Sequence, residues 1–504
     1  MPILSIILFA PLAGALLLIA IPREDTKTIH RVGLSVAFLS LVLAIAISVQ
    51  VAQMAENEIL LEKEPWIEAF SINYALGADG LNAPLLLLTA IMTTLSLSYA
   101  SRTIEMRVKE FFILFMMLET SLFGVFLARD MVMFYIFWVV SLMPILLLIS
   151  VWGGEERERA ALKLFLYNLL GSVGLLIAIL AVYSQTGTFD VLDASRAHPF
   201  LNATAPGAAR AAFLAFFFAF AIRLPSFPFH TWLPDAQTKA PTAVSTILAS
   251  VFLGTGGYGL IRIALPLFPD AFRHYVVDAP LIPILAVLSI IYTALVCLAQ
   301  WDLKRLVSYS SVVQMGFVTL GVCAAAASYQ DGSSAALSGL GGAAMQIVSH
   351  GILIAGLLFL AGILQHRTHT YDLRVLGGLS KQLPHYYGLT LVMGFAALGL
   401  PGLIGFWGQF LVFKGIVAAI PVYGFLGVLG VLFAAGYTLW KIVQHIFMGP
   451  LDEERWGQME DMVSWEKGTI WPLVLITVVL GFYPTPLLDM LDAALKVLLN
   501  GLLL

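Results

Sequence analysis

Charge is what this sequence lacks. Only 12% of its 504 residues are Asp, Glu, Lys or Arg, 60% are hydrophobic, and the mean hydropathy is +0.92. No water-soluble domain of this length needs so apolar a core, which excludes a soluble enzyme and a nucleic-acid binder. Cysteine is nearly absent. Cys297 and Cys323 fall inside apolar runs with no Cys or His at ligand spacing, so they read as small buried residues and not as a metal site. No small-residue cleavage site follows the first apolar run, so that run reads as a retained helix and not as a signal peptide. "GTGGYG", Gly254 to Gly259, fits a dinucleotide-binding pattern letter for letter, but it lacks the preceding strand that phosphate binding requires. Its glycines are expected to let helices approach closely.

What the chain has in abundance is apolar runs of about 20 residues, the length that crosses a bilayer. They lie near 3–21, 32–53, 81–100, 111–128, 131–150, 161–183, 208–222, 240–264, 280–299, 306–327, 335–364, 388–414, 421–447 and 468–490. The expected fold is an all-α integral membrane protein of about fourteen helices. Loops after odd-numbered helices hold eighteen Lys and Arg, among them Arg23, Lys163 and Lys304, against seven after even ones. Positive loops stay inside, so both termini are expected on the outer face. The longest outer loop, Ala52 to Asp79, is acidic (Glu56, Glu58, Glu62, Glu64, Glu68) and reads as a solvated surface. The segment "LLDMLDAALKVLLNGLLL" is amphipathic in its first half, as if to lie along the membrane or against a neighbour.

Two runs are interrupted in matching places. "RLPSFPFHTWLPDA" breaks the seventh and "ALGLPGLIGFWGQF" the twelfth, five spans apart, which predicts two inverted five-helix repeats, helices 4–8 and 9–13. The corresponding divisions are 1–110, 111–264, 275–447 and 448–504. Broken backbone at membrane depth needs protein or water around it, so the interior is expected to be wet. Few ionisable residues lie at depth: Glu119 in "FFILFMMLETSLFGVFLA", Arg223 before the first break, His350 in "QIVSHGILIAGLLF" and Lys414 in "GQFLVFKGIV". Each is a candidate for an ion path, or else a satisfied structural group or an interfacial one. His230, just past the prolines, either lines the same cavity or caps loop carbonyls.

"FAIRLPSFPFHTWLPDAQTKAPTAVSTILA", "QWDLKRLVSYSSVVQMGFV", "HGILIAGLLFLAGILQHRTHTYDLRVLGG" and "LGLPGLIGFWGQF" resemble the antiporter-like membrane subunit M (chain 4) of NADH-quinone oxidoreductase, respiratory complex I. The likeness runs from "ADGLNAPLLLLT" to "GFYPTPLLDML", nearly the whole chain. It implies fourteen helices and proton translocation coupled to electron transfer elsewhere, with no cofactor, redox centre or metal in this chain. It also implies L-, N- and K-like neighbours in a bacterial inner membrane, and loop or coupling roles for Lys163, Asp302 and Lys304.

Four ionisable positions of that family are replaced. Val139 stands where the family has a Glu on helix 5, Arg223 where it has a Lys on helix 7, Gly254 where it has a Lys on helix 8, and Gln409 where it has a Glu on helix 12. Arginine does not deprotonate in proteins, so Arg223 can bias the field but cannot hand a proton on. Gly254 removes a relay group and leaves water, Tyr258 or His350 to bridge the gap. Lys414 lies some 140° around an ideal helix from Gln409 and replaces it poorly.

Glu119 and Val139 lie at nearly equal depth on helices 4 and 5, which suggests a carboxylate moved to helix 4 and facing Arg223. Other readings are a subunit of a membrane hydrogenase, an Mrp-type antiporter or an inorganic-carbon uptake complex, or a conduction-deficient structural subunit.

Overall fold

The computed structural model describes residues 2–55, 58–197, 206–331 and 334–503. Among these, twelve helices are long and apolar enough to cross a membrane. They are α1 (Ile3–Ala20), α2 (Thr26–Gln53), α3 (Ala83–Thr103), α4 (Val108–Leu127), α5 (Met131–Trp152), α6 (Arg157–Thr186), α8 (Thr242–Leu267), α9 (Leu281–Ala299), α10 (Leu303–Asp331), α11 (Ser334–Thr368), α13 (Pro421–Phe447) and α14 (Ser464–Phe482). Two further segments are interrupted where the prolines and glycines stand. α7 is split into α7a (Pro206–Arg223) and α7b (Trp232–Lys239), and α12 into α12a (Pro384–Leu398) and α12b (Ile404–Ala419). The second break turns on Gly399 and Gly402, at φ of 86° and 90°, a conformation that side-chain-bearing residues rarely adopt.

Helix starts follow local chemistry. Asp25, Asp130 and Asp302 cap α2, α5 and α10 through carboxylates that accept backbone N–H groups otherwise left unpaired. α8, α10 and α11 are buried on nearly all sides and lie at the centre, while α1, α2, α6, α13 and α14 keep most of their surface outward. The glycines of α8 work by contact: a Cβ on Gly256 would sit 2.9 Å from the Phe220 carbonyl of α7a and 2.8 Å from the Leu224 nitrogen. α8 also contains two π-helical turns, Leu248–Phe252 and Leu260–Ala264, which shift the register of the faces it shows to α7 and α11.

One expectation is corrected outside the helices. The acidic stretch before α3 is not merely a solvated loop: Leu60–Ile67 (β1) and Ile72–Ala78 (β2) form an antiparallel hairpin, so the fold is not wholly α. Its strands carry Glu and Lys, residues depleted in sheets, which hid it from pattern reading. Glu62 accepts from the Leu4 and Ser5 nitrogens at 2.8 and 3.0 Å and so caps the start of α1. Glu56, named with that acidic group, lies outside the described residues.

A hydrogen-bonded corner occurs twice. Thr186 accepts from the Thr188 nitrogen, Thr188 accepts from the Asp190 nitrogen, and the Asp190 strand residue bridges Asp130 at the start of α5. Thr368, Thr370, Asp372 and Asp302 repeat that pattern at the start of α10. The amphipathic tail, α15 (Thr485–Leu503), packs on its own chain: Leu487, Leu491 and Leu495 are buried, and the Met490 carbonyl occupies the space a side chain on Gly80 would need.

Candidate functional site

The first break delivers Arg223 to the centre of the bundle. α7a ends there because Pro225 and Pro228 cannot continue its hydrogen-bond ladder. Its side chain is fully buried, yet its partners are neutral. One guanidinium N–H donates to Ser141 Oγ at 3.2 Å and another to the Trp138 carbonyl at 3.1 Å, both on α5. The guanidinium carbon lies 3.7 Å from the centre of the Trp138 ring and 3.9 Å from that of Phe252 on α8. A desolvated cation over an aromatic face gains about 2 kcal/mol. Two such faces and two carbonyl or hydroxyl acceptors thus stand where an acid is expected.

Glu119 does not face Arg223. Its carboxyl is buried among α2, α3 and α4, where the Ser40 and Thr93 hydroxyls approach it without reaching hydrogen-bond geometry. α4 meets α5 at Gly124, against Phe137, and five residues at about 100° each put that contact some 140° around from Glu119. Val139 is half-buried on α5 beside the residues that hold Arg223.

The remaining positions fall into place around this centre. Ile347 Cγ2 of α11 lies 2.9 Å from where a Cβ on Gly254 would sit, so an aliphatic side chain crowds that position. The Tyr258 hydroxyl donates to the Phe126 carbonyl at 3.0 Å. His350 is buried against the Ala249 backbone in the first π-helical turn, and its Nε2 has no partner. His230 lies among the Phe227, Tyr292 and Tyr309 rings, its Nδ1 likewise without a partner. Gln409 belongs to an amide cluster: Gln314 Oε1 accepts from Gln346 and, at 3.3 Å, from Gln409, while Gln314 Nε2 donates to the Ala397 carbonyl at the second break at 2.8 Å. Lys414 is exposed on α12b, with Asp492 of α15 close enough to feel its charge.

At the other end of α7, Asp235 of α7b pairs with Lys163 of α6 at 2.6 Å and Arg305 of α10 at 3.3 Å. Lys304 is buried and donates to the Ala240 carbonyl at 2.5 Å, and Asp302 caps α10 beside it. Together they tie the half-helix to its neighbours.

Sequence reading missed a second charged group. Asp79, just before α3, pairs with Arg129 at 2.7 Å and Arg262 at 2.6 Å. Burial alone would raise its pKa, but the two guanidiniums outweigh burial and hold the carboxyl well below the usual carboxylate range. The available signal was Arg262 inside the apolar stretch "GLIRIAL". Gln314 and Gln346 gave none, being single amides on otherwise ordinary helices.

The family model described as NADH:quinone oxidoreductase/Mrp antiporter, TM matches residues 128–434, more than half of the chain. The chain belongs to this family. It is 37% identical to NADH-quinone oxidoreductase subunit M of Rhodobacter capsulatus, over 99% of this chain and 96% of that one. A chain of respiratory complex I from Thermus thermophilus has the same fold with a TM-score of 0.86 at 29% identity, covering 99% of both chains. A chain of the Mrp complex from Dietzia sp. shares the fold at a TM-score of 0.81 and 22% identity, over 98% of this chain and 52% of that one. This family member is thus an antiporter-like, multi-pass membrane protein similar along its length to the M subunits of NADH-quinone oxidoreductases.

Proposed function

We propose that this subunit couples electron transfer elsewhere in its complex to proton movement through a fixed cation at the first helix break, and not through a lysine that gains and loses a proton. The observation that carries this reading is Arg223, fully buried and held only by neutral partners and two aromatic faces. A permanent charge there repels protons at the break and orients water dipoles on either side, so it acts as a barrier whose position follows α7a. In this reading the path draws on His230, Tyr258 and His350, and Lys163, Asp302 and Lys304 fasten α7b and α10, so that a shift of one is passed to the other.

The reading includes fourteen spans in two inverted five-helix repeats, supported by the hydrogen-bonded corner that recurs at α5 and α10. Residues 1–110 precede the repeats, 111–264 and 275–447 form them, and 448–504 close the chain. Both termini lie on the outer face of a bacterial inner membrane, with L-, N- and K-like subunits alongside and no cofactor held by this chain.

One specific feature favours a second reading, in which the subunit transmits conformational change without conducting. Ile347 crowds Gly254, and Gln409 sits in a neutral amide cluster, so two relay positions carry no titratable group. The test is the number of protons moved per NADH by the purified complex in sealed vesicles. For Arg223→Gln the ratio falls while NADH oxidation continues. An unchanged ratio with full electron transfer favours the second reading.

A further inference from the structure

A cluster of unpartnered oxygens lies away from the helix breaks, between α2, α3 and α4. Glu119 has both carboxyl oxygens buried without a hydrogen bond, and the same holds for Ser40 Oγ, Thr93 Oγ1 and, one turn further along α3, Ser96 Oγ. Ser40 and Thr93 are the groups that flank the carboxyl. Buried polar atoms left unpaired in this number call for an explanation, since nearly all such atoms find a partner.

The hydroxyls make the point sharper. A serine or threonine in an apolar helix usually donates to the carbonyl four residues back, and Thr89, Thr94, Thr120 and Ser121 on the same helices do so. Ser40, Thr93 and Ser96 have given up that bond. No ion pair neutralises Glu119 among the described residues, although a buried unpaired charge is costly. The donor set is oxygen only and its charge is that of one carboxylate. Hard cations choose such ligands, and a divalent ion would need more oxygens and a second negative charge.

We propose that Glu119, with the Ser40 and Thr93 hydroxyls, forms a sodium-binding site between α2, α3 and α4. The ion neutralises the carboxylate and fills the coordination that the hydroxyls have released. The site is off the line of helix breaks and stands independently of the role given to Arg223.

The test uses the purified complex that contains this chain. Equilibrium binding of radioactive sodium is measured for the native complex and for Glu119→Gln, Thr93→Val and Ser40→Ala complexes of matching subunit content. One bound sodium per chain disappears in Glu119→Gln, and the same sodium needs roughly tenfold higher concentration in Thr93→Val and in Ser40→Ala. Equal stoichiometry in native and Glu119→Gln complexes overturns the proposal. In parallel, sodium chloride slows carbodiimide modification of Glu119 several-fold relative to choline chloride, read on the tryptic peptide. Modification at the same rate in both salts shows a site that holds only a proton, and overturns it too.

Discussion

Replacing Asp79 by asparagine tests the electrostatics of the N-terminal end of α3. The carboxylate accepts from Arg129 at 2.7 Å and from Arg262 at 2.6 Å, and only 7% of the residue is exposed. Asparagine keeps the acceptor that caps the Leu81 and Asn82 nitrogens but removes the charge that balances two guanidiniums. Removing one partner of a buried ion pair costs 3–5 kcal/mol, and the retained cap puts Asp79→Asn near the lower end, about 3 kcal/mol. That is a factor of roughly 150 in a local opening equilibrium.

The assay is hydrogen exchange on peptides covering β2 and the α4–α5 corner, where the Arg129 nitrogen donates to the Ala75 carbonyl. Amide exchange there accelerates about a hundredfold in Asp79→Asn at neutral pH. The sign of the pH dependence follows from the depressed folded-state pKa. The carboxylate's contribution is complete above its unfolded value near 4 and is lost only as pH falls through the lower folded value, so the native complex keeps its protection at about pH 5. An acceleration below tenfold refutes the claim that the pairs hold this corner.

Trp138→Leu removes one face from Arg223 and costs about 2 kcal/mol, whereas Trp138→Phe keeps most of it. Equal melting temperatures for the two variant complexes would end the cation–π account. Gln314→Leu leaves the Gln346 and Gln409 amides without their shared acceptor, at about 1–3 kcal/mol. Replacing all three glutamines by leucine costs less than the single change, because no side-chain amide is then left buried without its acceptor, and the same melting series checks this. Gly80→Ala drives a methyl group into the Met490 carbonyl, so α15 detaches and its peptide bonds become open to added protease. A cleavage pattern like that of the native complex rules out the packing described for the tail.

What was legible in the sequence is what local chemistry determines. The prolines after Arg223 and the glycines around Pro401 mark both breaks, because proline cannot continue a helical ladder and Gly399 and Gly402 take positive φ values that end one. What was not legible is direction around a helix axis. Glu119 was placed inside the bundle, where it is buried, but its facing depends on which side of α4 meets α5, which Gly124 and Phe137 decide through packing. Asp79 was hidden because its two arginine partners come from residues 129 and 262, far off in the chain. The hairpin was hidden because its registration relies on strand pairing and the Glu62 cap, not on an alternating apolar face.

The neutral surroundings of Arg223 have an electrical consequence. Were an anion to travel with it, the two displacements would cancel in the transmembrane voltage; a solitary guanidinium has no such compensation. Carrying one elementary charge through the full drop of 100 mV takes about 2.3 kcal/mol, so a swing across a tenth of that drop exchanges roughly 0.2 kcal/mol with the membrane. Any tilt of α7a therefore carries gating charge, and the energised state of the membrane biases which tilt is preferred.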